Sequence, residues 1–404
     1  MKIAIIGGGL TGLAAGDILC KKHDVTIFEK NSYLGGLAAS FDLNGKKVPL
    51  HYHHVFAHDY VTRKYLKRFK LKSFWKKIKM AICVDGKRYN FTDPFSLLGF
   101  NYLSFFGKIR YGLFGLYVYT VLNANVIEDD VDAERWLNRF AGKEVTKKLF
   151  VPLYARNKFN IPLSEISARQ FANRLKAKEA TGLFGYPVKG LDMMMEGFVN
   201  DFKGKIVKNC DLKLIDCGKN LVDGEKFDKI IVTIPIPEFL KIQKGLGKGV
   251  KEKISKIKYC PCVTVVFGSK KMLSNHYWLN ILNERIHMVM QHSYLFDAYD
   301  EKVSWALRYG GSEEDLGLSD KEITEEYLKV VKKYFKCDIV WSKVFKEKYA
   351  SPVYDKDFVK KMPSKYKDVY FAGIATTYPK IRNMNTALIS GIEIGKDLNN
   401  FETL

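Results

Sequence analysis

The stretch Lys2-Ile3-Ala4-Ile5-Ile6-Gly7-Gly8-Gly9-Leu10-Thr11-Gly12 decides the fold. Its continuous apolar run, Lys2 to Ile6, predicts a short strand buried on both faces, as in a parallel sheet. The run leads straight into a glycine turn. Leu13 to Leu19 has helix composition, with Gly16 on the side that meets the sheet. Val25 to Phe28 predicts a second strand, and Glu29 stands at its end. Strand, glycine turn, helix, strand and acid fall within about 30 residues, the fingerprint of a dinucleotide site. Each position has a physical task. Gly7 permits the tight turn, Gly9 leaves room for a pyrophosphate, and Gly12 lets the helix pack on the strand. Leu10 and Thr11 open that helix, whose free N–H groups and positive dipole end suit phosphate. Glu29, followed by Lys30, can accept hydrogen bonds from a ribose diol.

The sequence continues Lys30-Asn31-Ser32-Tyr33-Leu34-Gly35-Gly36-Leu37-Ala38. A second glycine pair past the ribose acid is not needed to hold NAD. It lets another loop pass close to the pyrophosphate. With these residues the chain resembles the FAD-dependent superfamily of amine oxidases, protoporphyrinogen oxidases and carotenoid-type desaturases. A weaker similarity extends to UDP-galactopyranose mutases. The resemblance implies FAD rather than NAD alone, and places Gly35, Gly36 and Leu37 at the cofactor. It continues at the C-terminus, where Asp368-Val369-Tyr370-Phe371-Ala372-Gly373 reads as a strand ending in glycine. Ile374 stands where most members carry an acid. Gly373 and the helix opened by Met384, Asn385 and Thr386 are expected to approach the flavin and its pyrophosphate. Tyr186 to Leu191 resembles the family's return segment, with Lys189 in place of a glycine. Lys205 to Leu214 predicts a strand and brings Leu212 to the cofactor. Phe227 to Pro235 resembles the strand that leaves the domain.

The expected class is therefore α/β: a Rossmann-type FAD-binding domain assembled from discontinuous segments, plus an α+β substrate domain. Residues 1–57, 186–236 and 363–404 are assigned to the first. Residues 58–185 and 237–362 are assigned to the second, which would hold an antiparallel sheet and a helical insertion. The first of these insertions reads as largely helical, with helical spacing over Asp132 to Phe140 and Ser167 to Ala177. Ser167 to Gln170 fits a capping box, as does Ser319-Asp320-Lys321-Glu322 ahead of a helix running to about Phe335. Val263 to Phe267, Trp278 to Leu282, His287 to Gln291 and Val303 to Arg308 read as strands.

His51-Tyr52-His53-His54-Val55-Phe56-Ala57-His58 holds four of the eight histidines. It suits a hydrogen-bonded loop, a metal cluster or a segment beside the flavin. No carboxylate cluster accompanies it, so no metal is expected. In the resembling families a similar stretch passes the flavin ring. His54 would then be a hydrogen-bond donor or an acid/base near neutral pH, with His53 second. Thr377 to Met384 faintly resembles a C-terminal motif of the mutases, without its fuller arginine pattern, and makes Arg382 the third catalytic candidate. The resemblance implies hydride transfer from a hydrophobic or lipid-linked substrate to flavin N5. The rivals are a sugar-nucleotide mutase without net redox, and a non-catalytic flavin-binding protein at a membrane surface.

The 404 residues carry 66 Lys+Arg against 44 Asp+Glu, a net charge of +22. Hydrophobic residues at 47% allow an ordinary core and exclude wholesale disorder. Seven scattered cysteines without paired CxxC motifs suit a reduced, cytoplasmic protein. Cys260-Pro261-Cys262 is the one close pair, and it reads as two small residues of a strand. Positive charge gathers between Arg63 and Lys79, interleaved with Leu66, Phe69, Leu71, Phe74 and Trp75. No nucleic-acid motif accompanies it, so no nucleic acid is expected. The stretch suits a solvated face, a groove for a phosphate-bearing small-molecule substrate, or peripheral contact with an anionic membrane at its inner face. Tyr111 to Ile127 is apolar but too broken by Gly112, Gly115, Thr120, Asn123 and Asn125 to span a bilayer. A buried or interfacial helix is expected there.

Overall fold

The computed structural model describes residues 1–177, 182–309 and 313–400. Its main helices are α1 (Leu10–Leu19), α2 (Tyr60–Arg68), α3 (Phe105–Thr120), α4 (Ala133–Phe140), α5 (Ala168–Lys176), α6 (Asp192–Asp201), α7 (Asp320–Tyr334) and α8 (Met384–Asn400).

A six-stranded sheet runs in the order Lys205–Val207, Asp24–Phe28, Lys2–Ile6, Lys229–Val232, Val369–Phe371, Lys365–Tyr366. The first five strands are parallel, and the last folds back antiparallel. The run Ile3 to Ile6 is buried throughout because Lys2–Ile6 is a central strand, covered on both faces. α1 is buried on nearly all sides because α8 packs over it. Gly391 of α8 lies so close that a Cβ there would overlap the Thr11 carbonyl oxygen. Asp17, on this buried helix, is answered by Arg68 of α2 in a two-pronged ion pair at 2.6 and 2.7 Å, and by the Tyr65 hydroxyl. Arg68 also reaches Asp201 of α6. One guanidinium thus ties three helices together.

The second large sheet has seven strands, in the order Ile339–Pro352, Tyr259–Ser269, Lys302–Tyr309, Met288–Gln291, Trp278–Ile281, Met80–Val84, Lys87–Asn90. Side chains alternate between its faces. Val263, Val265, Phe267 and Leu279 pack with Ile323, Tyr327 and Val331 of α7. Cys262, Val266, Trp278, Met290 and Trp305 point the other way, toward the parallel-sheet half. The capping box of α7 forms as its sequence predicts, with Ser319 and Glu322 bonded reciprocally.

Three expectations are corrected. The first insertion is not only helical: Met80–Val84 and Lys87–Asn90 form a hairpin that joins the seven-stranded sheet, Met80–Val84 pairing parallel with Trp278–Ile281. The strand predicted from Lys205 to Leu214 ends at Val207, because Asn209 turns left-handed at φ 53°. The capping box at α5 is half formed. Ser167 Oγ accepts the Gln170 N–H, but the Gln170 side chain turns inward instead of returning to the backbone.

Candidate active site

The glycine turn opens α1, with Gly9 at its N-cap and no side chain filling that position. A Cβ on Gly9 would meet nothing within 4 Å, so space lies open in front of the turn. A Cβ on Gly12 would overlap the Gly7 carbonyl oxygen, which explains the residue there. Glu29 is buried and rigid. One carboxylate oxygen accepts the Gly8 N–H at 2.8 Å, and the other accepts the Asn31 N–H and side-chain amide at 2.8 and 2.9 Å. A carboxylate offers about four acceptor positions, so one remains for an incoming hydroxyl. The second glycine pair closes over the first: the Gly35 N–H donates to Gly8 O at 2.9 Å, and Gly36 to Ala38 turns beside Gly9. The structure thereby gathers Gly7, Gly9, Leu10, Thr11, Gly12, Glu29, Gly35, Gly36 and Leu37 around one helix N-terminus. Unpaired N–H groups, a dipole end and a Cβ-free surface fit the diphosphate of a dinucleotide such as FAD.

The side chains of several predicted cofactor residues are engaged within the fold. Thr11 Oγ1 donates to Ala387 O, joining α1 to α8. Asn385 Oδ1 accepts the N–H groups of Val61 and Thr62, capping α2. Thr386 Oγ1 bonds within its own turn, to Ile381 and Asn383. These side chains bind the fold together, and only their backbone, with that of Met384, is presented at the start of α8. Gly373, at φ 115°, donates its N–H to Ser390 Oγ. Leu212 is packed in the core around Phe28 and Phe227, and Lys30 points outward to Asp211 at 3.8 Å. Neither lines the turn.

The histidine-rich stretch lies across the inner face of the seven-stranded sheet. His51 Nδ1 meets Thr264 Oγ1 at 3.0 Å, His53 Nδ1 meets the His51 carbonyl at 2.9 Å, and His54 Nδ1 meets the Tyr277 hydroxyl at 3.0 Å. His58 stacks on Phe56. His54 is boxed by Phe56, Phe184, Tyr277 and Trp278. Burial, with His53 and the positive charge of Lys158 adding to it, pushes the His54 imidazole down to about 3. Burial thus favours the neutral ring at physiological pH, with Nδ1 facing the Tyr277 hydroxyl. No cluster of three or more potential metal ligands occurs among the described residues.

Arg382 is held with its guanidinium between the rings of Phe159 and Tyr354, at 5.0 and 5.2 Å, and bonds the Pro352 carbonyl. Its Nε and Nη2 are buried without a hydrogen-bond partner among the described residues. Phe159 ends a π-helical run, Thr146–Phe159, and stacks on Tyr154 of that run. Lys158 and Arg174 both lie over Tyr154, at 5.7 and 5.9 Å. Gln170 is one turn before Arg174 on α5, fully buried, with both amide atoms unpartnered among the described residues. Ser167, at the start of α5, bonds the Tyr378 hydroxyl at 2.7 Å. The π-helical run, α5 and the C-terminal loop thus bring three cations and one amide together around a cluster of aromatic rings. π-type segments are frequent at functional sites. Lys158 also bears on His287 and on the Cys260 thiol, which places it toward the sheet's inner face. Only Arg382 of this set was singled out by sequence. Gln170 was read as a cap, and the one available signal was its i, i+4 spacing with Arg174.

Among relatives, the chain is 28% identical over 272 residues to the Methanocaldococcus jannaschii protein MJ1488. The match covers 63% of this chain and 66% of that protein, just under two thirds of the relative's length. Reduced UDP-galactopyranose mutase superposes with a TM-score of 0.79 at 16% identity, over 100% of this chain and 94% of that one. Putrescine oxidase bound to putrescine gives 0.78 at 14%, over 99% of each chain. At such identities the likeness is one of fold. The family model of the flavin containing amine oxidoreductases matches residues 10–397, nearly the whole chain, and the protein belongs to that family of flavin-dependent oxidoreductases.

Proposed function

We propose that the flavin is FAD, held along the glycine turn, and that the enzyme oxidises a largely apolar substrate carrying a phosphate or carboxylate group. FAD would supply the acceptance of hydride from a substrate C–H. The chain's own residues do the rest. Gly7 to Gly12 and Glu29 hold the dinucleotide's polar spine. Arg382, Arg174, Lys158 and Gln170 receive the substrate's anionic end, and Tyr154, Phe159 and Tyr354 line its apolar body and exclude water.

The observation that carries this reading is a set of buried polar atoms without a partner among the described residues: both amide atoms of Gln170, and Nε and Nη2 of Arg382. A buried donor or acceptor without a partner costs about 1–3 kcal/mol, more when charged. Such groups persist where a ligand completes them. Anaerobic titration tests the reading: phosphorylated or carboxylated apolar donors should bleach the oxidised flavin band, and their neutral analogues should do so far less. Bleaching that ignores the anionic group would refute it.

The same cations would also suit the diphosphate of a nucleotide sugar, which favours a mutase as the second reading. Turnover of nucleotide sugars only after dithionite reduction of the protein would select it.

A further inference from the structure

α3 is apolar on two sides. Gly107, Phe114 and Val118 face inward, and the cluster around them includes Trp136, Leu137 and Phe150. The opposite side, Phe106, Ile109, Leu113 and Leu116, follows helical spacing and lies in solvent, with Phe106 80% exposed. Phe95, Leu98, Phe105, Val121 and Val126 extend the same surface. Half of the exposed large hydrophobic side chains among the described residues fall between Phe95 and Val126. Single exposed apolar residues need no account, but a contiguous patch does.

Within the patch's own stretch of sequence the charges have one sign. Residues 94–127 contain no Asp or Glu, and carry Lys108 and Arg110. Lys143 flanks a shallow groove formed with Phe106, Arg110 and Leu113, and Lys147 is exposed one turn further on. Glu144, the acid beside the groove, is already tied to Ser104 and Lys148. No helix among the described residues is long and apolar enough to cross a membrane. A two-fold contact between copies would bring these cations face to face.

We propose that α3 and its flanking loops are a docking surface for an anionic lipid bilayer, with α3 lying in the plane of the interface. An apolar helix side seated about 5–10 Å into the headgroup region, rimmed by lysine and arginine, is the usual geometry of such attachment. Lys108, Lys143 and Lys147 attract the headgroups, each adding about fivefold to affinity near an anionic surface.

Flotation of the flavin-loaded protein with phosphatidylglycerol vesicles and with phosphatidylcholine vesicles tests this. Binding is expected to the first and to be weaker to the second. The exposed pair Phe106→Glu and Leu113→Glu should lower it at least about tenfold, and Lys143→Gln with Lys147→Gln should lower only the anionic preference. The flavin absorbance, unchanged in each variant, certifies the fold. No binding to phosphatidylglycerol, or binding indifferent to the glutamate pair, overturns the proposal. So does a concentration-dependent dimer that the glutamate pair abolishes without any vesicle binding.

Discussion

The two ends of the candidate site are made of different material. The glycine turn is built from backbone: N–H groups, a helix dipole and the absence of Cβ atoms. The cluster around Arg382 is built from side chains delivered by three separate segments. The turn has strict steric demands, tightest at Gly12, and nearly no titratable groups. The cluster around Arg382 holds charged and amide groups in a buried place. Backbone sites should therefore fail through sterics, and side-chain sites through lost function at little cost to the fold.

The sharpest way to break this contrast is Gly12→Val. Its branched side chain would drive the helix away from the Gly7 carbonyl, destabilising the fold by about 3 kcal/mol or more. The variant should purify without the flavin band near about 450 nm, or fail to fold; a yellow, stable variant would end the steric account. Next in size is Arg68→Ala, at the seam between the halves. It leaves Asp17 buried without its cation. Breaking a buried pair costs about 3–5 kcal/mol, and the partial exposure of Arg68 reduces this to about 2–3 kcal/mol. Denaturant unfolding measures it.

Gln170→Leu probes the cluster in the opposite sense. Removing an unpartnered amide should raise stability by about 1 kcal/mol, while kcat/KM falls by about tenfold. A rise in stability with unchanged kcat/KM would sever Gln170 from the substrate. The smallest effect per residue concerns pH. Burial depresses His54 and His292 to about 3, and pushes His287 well down. These rings stay neutral in the fold and take up protons on unfolding. Stability is thus full above the ordinary histidine value of about 6.5 and is lost as pH falls below it, by about 1 kcal/mol per ring between pH 6.5 and 5.5. Melting temperatures across that window check the sign.

The same contrast explains what could be read from sequence. The glycine turn is local, and its spacing carries its meaning. The cap at Ser319 and Glu322 is local too. The cluster is not: Lys158, Gln170 and Arg382 meet only after a π-helical run, a buried helix and the C-terminal loop have packed. The hairpin at Met80–Asn90 was missed although its signal was present. Asp85-Gly86 joins two runs, and both residues take positive φ, 50° and 73°, as a type I′ turn requires. In the Arg63 to Lys79 stretch the parts diverge: Arg68 bonds Asp17 and Asp201 and Phe69 packs on Phe198, while Phe74 and Trp75 stay exposed. The larger exposed apolar surface lies on and around α3, which charge counting passes over.

The parallel pairing of Met80–Val84 with Trp278–Ile281 bears on how the protein is made. The early strand leaves the ribosome about 200 residues before its partner. At about 5–20 residues per second, it waits some 10–40 s with an unpaired edge. The apolar sequence Met80 to Val84 is in that interval a hazard for intermolecular pairing. Its neighbour Lys87–Asn90, with two adjacent cations, shields one edge from the start. The other stays open until the later segment arrives, so yield on overexpression should respond to temperature and to chaperones that hold extended chains.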